Sequence, residues 1–419
     1  MIHQVSRLPQ DDKYLTDILA LQVAVLKAAR NIPDIDIFDH ATGNSNFQLI
    51  LENQLAQERR FRDRREEVAR WITRKSATLL KPLSRFARGS QQDKDDFVQG
   101  VISDLNLLFR PHAASLSIFV LDNAGDWQKG ARDFLYVFYD LWKDPGFDKI
   151  LFSRSMAGEK YSRLDFIAEF EKENPGIYVC AICDGSGYKT KTESRVYTSV
   201  EHYLPRSIYP HFSCHPRNLI PICSFCNSYI KGDNDPLLRD QQRIGISELP
   251  LPYQQDALKD KAWVAYLQRN PYNKAEHPHP YRLELRSARN VDNLSLIISL
   301  NHLYKVDERW SGVLEQIEEQ AFRRLFQFLT LSSLGGQALT PTNLSSQLRT
   351  LMAITDLENV GKDPYAFPMV WLLKAFRDQL EQEKDQSSVY KSIRDWGQEI
   401  HQRWIEIQDR ADELHNRVP

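Results

Sequence analysis

The chain has 419 residues, an apolar fraction of 42%, a charged fraction of 26% and a formal net charge of −2. That length allows two or three domains with sizeable cores, and the composition is that of an ordinary soluble protein. Near-zero net charge excludes a uniformly basic chain that coats nucleic acid, so a nucleic-acid surface would have to come from local segregation of charge.

In chain order, Tyr14–Ala29 is rich in strong helix formers and apolar residues, which predicts a buried helix, and Asn31-Ile32-Pro33-Asp34 ends it. Phe47 to about Arg88 is predicted as one long helix, or two joined near Pro82. Between Glu52 and Lys94 there are twelve Lys or Arg against six Asp or Glu, with Phe61, Trp71 and Phe86 interleaved. This stretch reads as a surface that tracks phosphates or as a solvated helix with i,i+4 pairs such as Arg62 with Glu66. Mixed-sign helices favour the second. Asp95–Phe109 and Ser115–Trp142 carry mostly helical patterning. In the latter, Trp127, Phe134, Tyr136, Phe138, Tyr139 and Trp142 are spaced as core.

Asp144-Pro145-Gly146 predicts a turn near a domain boundary. Tyr161–Glu173 predicts a helix, ended by Asn174-Pro175-Gly176, and Ile177–Val179 is a short β-like run that delivers Cys180. After a cysteine-rich stretch, Asp233–Pro252 reads as loop, and His277-Pro278-His279-Pro280 as a loop that is a weak metal motif. Tyr281–Leu285 alternates like a strand. Helical patterning resumes near Leu294. Asp307–Leu331 has Leu314, Ile317, Ala321, Leu325 and Phe328 at helical spacing, and Pro341–Leu357 and Met369–Gln382 follow the same rule. Ser388–Asn416 is a charged helix with a stripe of Ile393, Trp396, Ile400, Trp404, Ile407 and Ala411 that reads as core packing or as a partner-helix contact, with core packing favoured. There is no internal repeat and no Gly-rich phosphate loop, so this chain by itself is not expected to be an ATPase.

The fold class expected is therefore mainly α with a small central α+β module. The expected divisions are an N-terminal helical region at residues 1–150, a central module at 151–250 and a C-terminal helical region at 251–419.

The chemistry concentrates in Val179–Asp233. Four of the five cysteines form two close pairs, Cys180/Cys183 and Cys223/Cys226, separated by 39 residues. Such clustering fits a metal site in a reducing compartment better than a disulfide scaffold. Two residues between paired cysteines let both thiolates reach one ion, and four thiolates make the closed tetrahedral set of structural zinc. Cys214 is left as a free thiol. With four protein ligands the zinc has no open position, so catalysis needs another group, and the inserted segment holds Glu201-His202-Tyr203-Leu204-Pro205. Arg195–Val200 reads as a strand leading to Glu201-His202, Asn218–Ile222 as the returning strand, and Ser224–Ile230 as a short helix carrying Asn227. The absence of a run of about 20 apolar residues, and of a signal-peptide core at Met1–Arg7, makes a cytoplasmic location without a membrane partner the default expectation.

Two Cys-x-x-Cys pairs bracketing a carboxylate-His-x-Leu-Pro sequence, with Asn218 before the second pair and Asn227 directly after it, resemble the zinc-containing HNH (ββα-metal) endonucleases. The resemblance spans about 55 residues. It implies a ββα-metal core stabilised by a four-cysteine zinc site, with His202 as general base and Asn218 as the residue that orients it across the loop. Glu201 and Asn227 become the ligands of a catalytic Mg²⁺ or Mn²⁺. Family members more often carry aspartate at the Glu201 position. Lys231 and Arg206 become candidate contacts to flanking phosphates. His211 and His215 compete with His202 for the role of base.

The resemblance implies metal-dependent hydrolysis of DNA phosphodiester bonds. Double-strand cleavage would need two sites, by homodimerisation or successive nicks. The helical flanks, about 180 residues on each side, give the whole chain a looser resemblance to HNH nucleases of bacterial anti-phage defence operons, which implies a partner ATPase or sensor. Two other readings stay open: a zinc-stabilised nucleic-acid-binding module without catalysis, and a ribonuclease or toxin built on the same fold.

Overall fold

The computed structural model describes residues 2–8, 12–32, 45–108, 116, 125–142, 161–186, 198–253, 258–268, 281–287, 294–332, 340–392 and 394–395. These residues are mainly helical, with three two-stranded antiparallel sheets. The expected turn at Asp144–Gly146, the His277–Pro280 run and the Trp396/Trp404 stripe lie outside them. Contacts divide the chain into two compact units, one of residues 1–182, 187–258 and 295–304, the other of residues 183–186, 259–294 and 305–419.

The first unit begins with α1 (Lys13–Arg30), whose Ile18, Leu21, Ala24, Val25 and Ala28 are fully buried. The stretch expected as one or two helices is three: α2 (Ser45–Gln57), α3 (Arg65–Arg74) and α4 (Lys81–Ala87). The physical reason lies in its apolar residues. A continuous helix so dense in charge has too narrow an apolar face to bury. Breaking it lets Phe61 turn inward, and α2 and α3 pack on each other around Val68 and Ile72. The second break is a π-helical turn at Ser76–Leu80 that buries Leu79 and Leu80. Pro82 then sits in the first turn of α4, where its missing N–H is not needed. Arg62 donates to the Ala56 carbonyl at 3.2 Å rather than pairing with Glu66.

α5 (Gln91–Leu107) starts four residues before the expected point because Ser90 caps it, accepting from the Asp93 N–H at 3.2 Å. α6 (Asp126–Leu141) crosses α4 at Gly130. A Cβ there would lie 2.5 Å from the Pro82 carbonyl oxygen, so only glycine permits the approach. α7 (Arg163–Glu173) is entered through a capping box in which Ser162 and Asp165 satisfy each other's backbone N–H at 2.8 and 3.3 Å.

The cysteine-rich stretch supplies β1 (Thr198–His202) and β2 (Leu219–Cys223), paired antiparallel with Glu201 opposite Ile220 and His202 opposite Leu219. A π-helical turn, Phe225–Lys231, follows directly. A small hairpin of β3 (Leu238–Arg239) and β4 (Gln242–Arg243), and most of α8 (Leu294–Tyr304), complete this unit.

In the second unit β5 (Ala262–Gln268) pairs antiparallel with β6 (Tyr281–Ser287). The sequence pointed to β6 but not to β5. The region expected as one helix from Asp307 is α9 (Val306–Gly312) and α10 (Leu314–Ser332), interrupted at Val313. α9 docks on β6 through side chains: Ser311 accepts from the Leu283 N–H at 3.0 Å and Asp307 from the Leu285 N–H at 2.7 Å. α11 (Pro341–Ile354) and α12 (Ala366–Glu383) follow. Cys183–Ser186 belongs to this unit, where the Cys183 carbonyl accepts from the indole of the fully buried Trp310 at 2.8 Å.

Candidate metal centre and active site

The two Cys-x-x-Cys pairs meet. The sulfurs of Cys180, Cys183, Cys223 and Cys226 all lie within 4.8 Å of one another, and all four side chains are buried. A tetrahedral thiolate site with bonds of about 2.3 Å puts its sulfurs about 3.8 Å apart. Four sulfurs so gathered, and not joined by disulfides, can therefore close on a metal ion such as zinc. The Cys226 N–H lies 3.5 Å from Cys223 Sγ, so the backbone also stabilises thiolate charge there. The Ala181 carbonyl accepts from the N–H groups of Ile2 at 2.9 Å and His3 at 3.2 Å, which ties the first pair to the start of the chain. Cys214 stands apart. Burial pushes its thiol up to about 12, and it is no part of the cluster.

Between the pairs, β1 ends at Glu201 and His202. His202 Nε2 lies 3.0 Å from the Ser213 carbonyl oxygen. A carbonyl only accepts, so the proton sits on Nε2 and Nδ1 keeps its lone pair. Burial, with the charges of Arg206 and Lys231 adding to it, pushes the imidazole down to about 3, so it stays neutral. The ring meets that of Tyr139 edge-on, with centroids 4.2 Å apart and planes at 70°.

Glu201 is buried, at 4% exposure, and its carboxylate pairs with the Lys231 ammonium. Burial pushes this carboxyl up to about 7, against the pull of Lys231. Lys231, expected at a substrate surface, is itself 1% exposed and also donates to the His202 carbonyl at 2.9 Å. It therefore braces the end of β1 from within and offers no open face to a phosphate. Asn218 is buried and bridges the neck of the loop between β1 and β2. Its Oδ1 accepts from the Leu204 N–H at 2.6 Å, and its Nδ2 donates to the carbonyls of Leu204 and Phe212, both at 3.0 Å. That loop also carries Ser213, so Asn218 holds the segment that orients His202.

His202, Glu201 and Asn227 border one cleft of about 520 Å³. Asn227 is half-buried and makes no side-chain hydrogen bond among the described residues. Arg206 lines the same cleft, bonded to Asp140 at 3.2 Å and stacked over Tyr136 at 4.3 Å. The competing histidines go elsewhere. His211 packs 3.4 Å from the Asp104 carboxylate. His215 lies 3.0 Å from the Leu105 carbonyl, with its Nδ1 accepting from the Arg217 N–H at 3.1 Å.

Two cleft residues were not legible as such. Tyr139 falls in the aromatic stretch that reads as core, and it is only 4% exposed. Arg163, at the start of α7, lies over the Tyr139 ring at 4.1 Å. The signal available for Arg163 was its position: a cation in the first turn of a helix opposes the helix dipole. Among the described residues no helix is long and apolar enough to cross a membrane. Comparison with protein-family models, with curated proteins and with solved structures finds no match to this chain.

Proposed function

We propose that this chain is a metal-dependent nuclease of the HNH type that hydrolyses DNA phosphodiester bonds, with His202 as general base. The observation that carries the reading is a neutral imidazole at the end of a short antiparallel strand pair, its Nε2–H spent on the Ser213 carbonyl. Its Nδ1 lone pair is then free to take a proton from water in a cleft lined by arginines. The π-helical turn that follows β2 carries Asn227, which completes a β–β–helix unit.

The donor set suits a hard cation. Glu201 brings carboxylate oxygens and Asn227 an amide oxygen without another partner among the described residues, the ligands preferred by Mg²⁺ and Mn²⁺. Lys231 already balances part of the Glu201 charge, so these two side chains bind a cation weakly on their own and depend on a substrate phosphate to complete its surroundings. When bound, the cation stabilises negative charge on the phosphate and on the leaving oxygen. The four-cysteine centre holds zinc as a structural element, since four thiolates leave no position for water or substrate.

The test is cleavage of supercoiled plasmid by the purified chain with Mg²⁺, Mn²⁺ or EDTA, beside a His202→Ala variant of equal zinc content. Metal-dependent nicking that is lost in the variant supports the reading. Undiminished nicking by the variant, or none by the parent chain on DNA, removes it.

A further inference from the structure

The charge inventory of the cleft does not balance. Lys231 is matched by Glu201, and Arg206 by Asp140. Arg163 is matched by nothing: no carboxylate among the described residues pairs with it, and its buried Nε has no hydrogen-bond partner. Its guanidinium carbon instead lies 4.1 Å from the centre of the Tyr139 ring, and that of Arg206 lies 5.2 Å from the same centre. A buried N–H with no acceptor is costly to keep unless an anion meets it. The position at the first turn of α7 adds to that cost, because the positive end of the helix dipole lies there.

We propose that Arg163 and Arg206, both held by Tyr139, form a phosphate-binding clamp in the His202 cleft. Each guanidinium presents a planar fork that matches two phosphate oxygens. Arg206 spends one contact, at 3.2 Å, on Asp140 and is 28% exposed, which leaves donors for a ligand. Tyr139 is a positioning residue. Its ring is already occupied by Arg163, Arg206 and the His202 edge, so it orients the clamp rather than stacking on a base. The identity of the anion as a nucleic-acid phosphate rests on the nuclease reading above; the clamp itself rests on the arginines.

The experiment uses the full chain in EDTA and a fluorescein-labelled 20-base-pair DNA duplex, with a 20-nucleotide RNA as second probe. Anisotropy is followed across a series of NaCl concentrations. Arg163→Gln is expected to weaken binding about tenfold and to lower the slope of log K against log [NaCl] by about one, the signature of one lost phosphate contact. Arg206→Gln, at a half-buried position, is expected to do the same. Thermal melts accompany each variant. Folded Arg163→Gln and Arg206→Gln proteins that both keep the parent affinity and slope overturn the clamp. If Arg163→Gln does not fold, Arg206→Gln alone decides.

Cleavage with Mg²⁺ in the same preparations separates the two ideas. Arginine-dependent binding without cleavage by the parent keeps the clamp and removes the nuclease. Cleavage by the parent that is unaffected in both glutamine variants keeps the nuclease and removes the clamp. No binding of either probe removes the clamp, and cleavage with Mg²⁺ then judges the nuclease by itself.

Discussion

The imidazole of His202 and the carbonyl of Ser213 are joined at 3.0 Å through Nε2. Because the partner is a backbone oxygen, the bond fixes the tautomer whatever side chain residue 213 carries. His202→Ala is expected to lower plasmid cleavage by about 10²- to 10⁴-fold, the usual contribution of a general base. Ser213→Ala is expected to change it by less than about threefold, since among the described residues the hydroxyl reaches only the Leu135 carbonyl at 3.4 Å and the Cys214 sulfur at 4.0 Å. Initial rates of the two variants under identical conditions check this. Equal losses would mean that position 213 matters through its side chain.

The Lys231–Glu201 pair has both side chains at 5% exposure or less. Removing one partner leaves a buried uncompensated charge, so Lys231→Met is expected to cost about 3–5 kcal/mol. Lys231→Met combined with Glu201→Gln is expected to cost clearly less, because no lone charge remains. Urea denaturation of the single and double variants decides it. A double variant as unstable as Lys231→Met would show that packing, and not charge, sets the cost.

The cysteine cluster makes a prediction about metal content. The purified chain is expected to carry about one zinc, Cys223→Ser to lose it together with several kcal/mol of stability, and Cys214→Ser to keep it. Elemental analysis by mass spectrometry reads the content. Cys214 is expected to resist alkylation in the native chain, because burial holds its thiol at about 12 and leaves almost no thiolate near neutrality.

His215 predicts a pH dependence of stability. Its Nδ1 accepts the Arg217 N–H and its Nε2 donates to the Leu105 carbonyl, so protonating Nδ1 would set one N–H against another. Burial, with the charge of Arg217 adding to it, pushes its pKa down to about 3, from about 6.5 in an unfolded chain. Between those values the unfolded state takes up a proton that the native state refuses, so the contribution is complete above about pH 6.5 and is lost as pH falls toward 3. From pH 7.5 to pH 5 the parent is expected to lose about 2 kcal/mol more than His215→Gln, measured by urea unfolding at both values.

The sequence exposed the site better than the scaffold around it. The spacing of Cys180, Cys183, Cys223 and Cys226 carries the cluster by itself, since two knuckles can only serve an ion if they meet, and they do. Glu201, His202 and Asn227 border one cleft, because a strand end and the turn after its partner are neighbours by construction. The role of Lys231 escaped. A lysine in a Lys-Gly-Asp turn looks solvated until Glu201 is seen buried beneath it. Arg163 and Tyr139 escaped because their meeting depends on how α6 and α7 pack, which no local pattern encodes. The three-helix form of Phe47–Arg88 escaped for a related reason. Helical periodicity continues across Phe61, and only its burial explains the turn. β5 was missed because Ala262–Leu267 is a continuous apolar run, in which no period-2 alternation marks a strand.

The Asn218 bridge has one more consequence. Three hydrogen bonds from one amide close the neck of the loop that runs from Tyr203 to Arg217 and carries Ser213. Opening that loop costs the free energy of its own contacts, which include the Ser213 hydroxyl on the Leu135 carbonyl and the His215 ring on the Leu105 carbonyl. Each opening withdraws the Ser213 carbonyl and frees the imidazole to exchange tautomers. The base is then competent only for the fraction of time that the neck is shut. Mild denaturant should therefore silence this centre at concentrations that leave the helical scaffold intact, and the amide protons of Tyr203 and Leu204 should exchange in step with that loss.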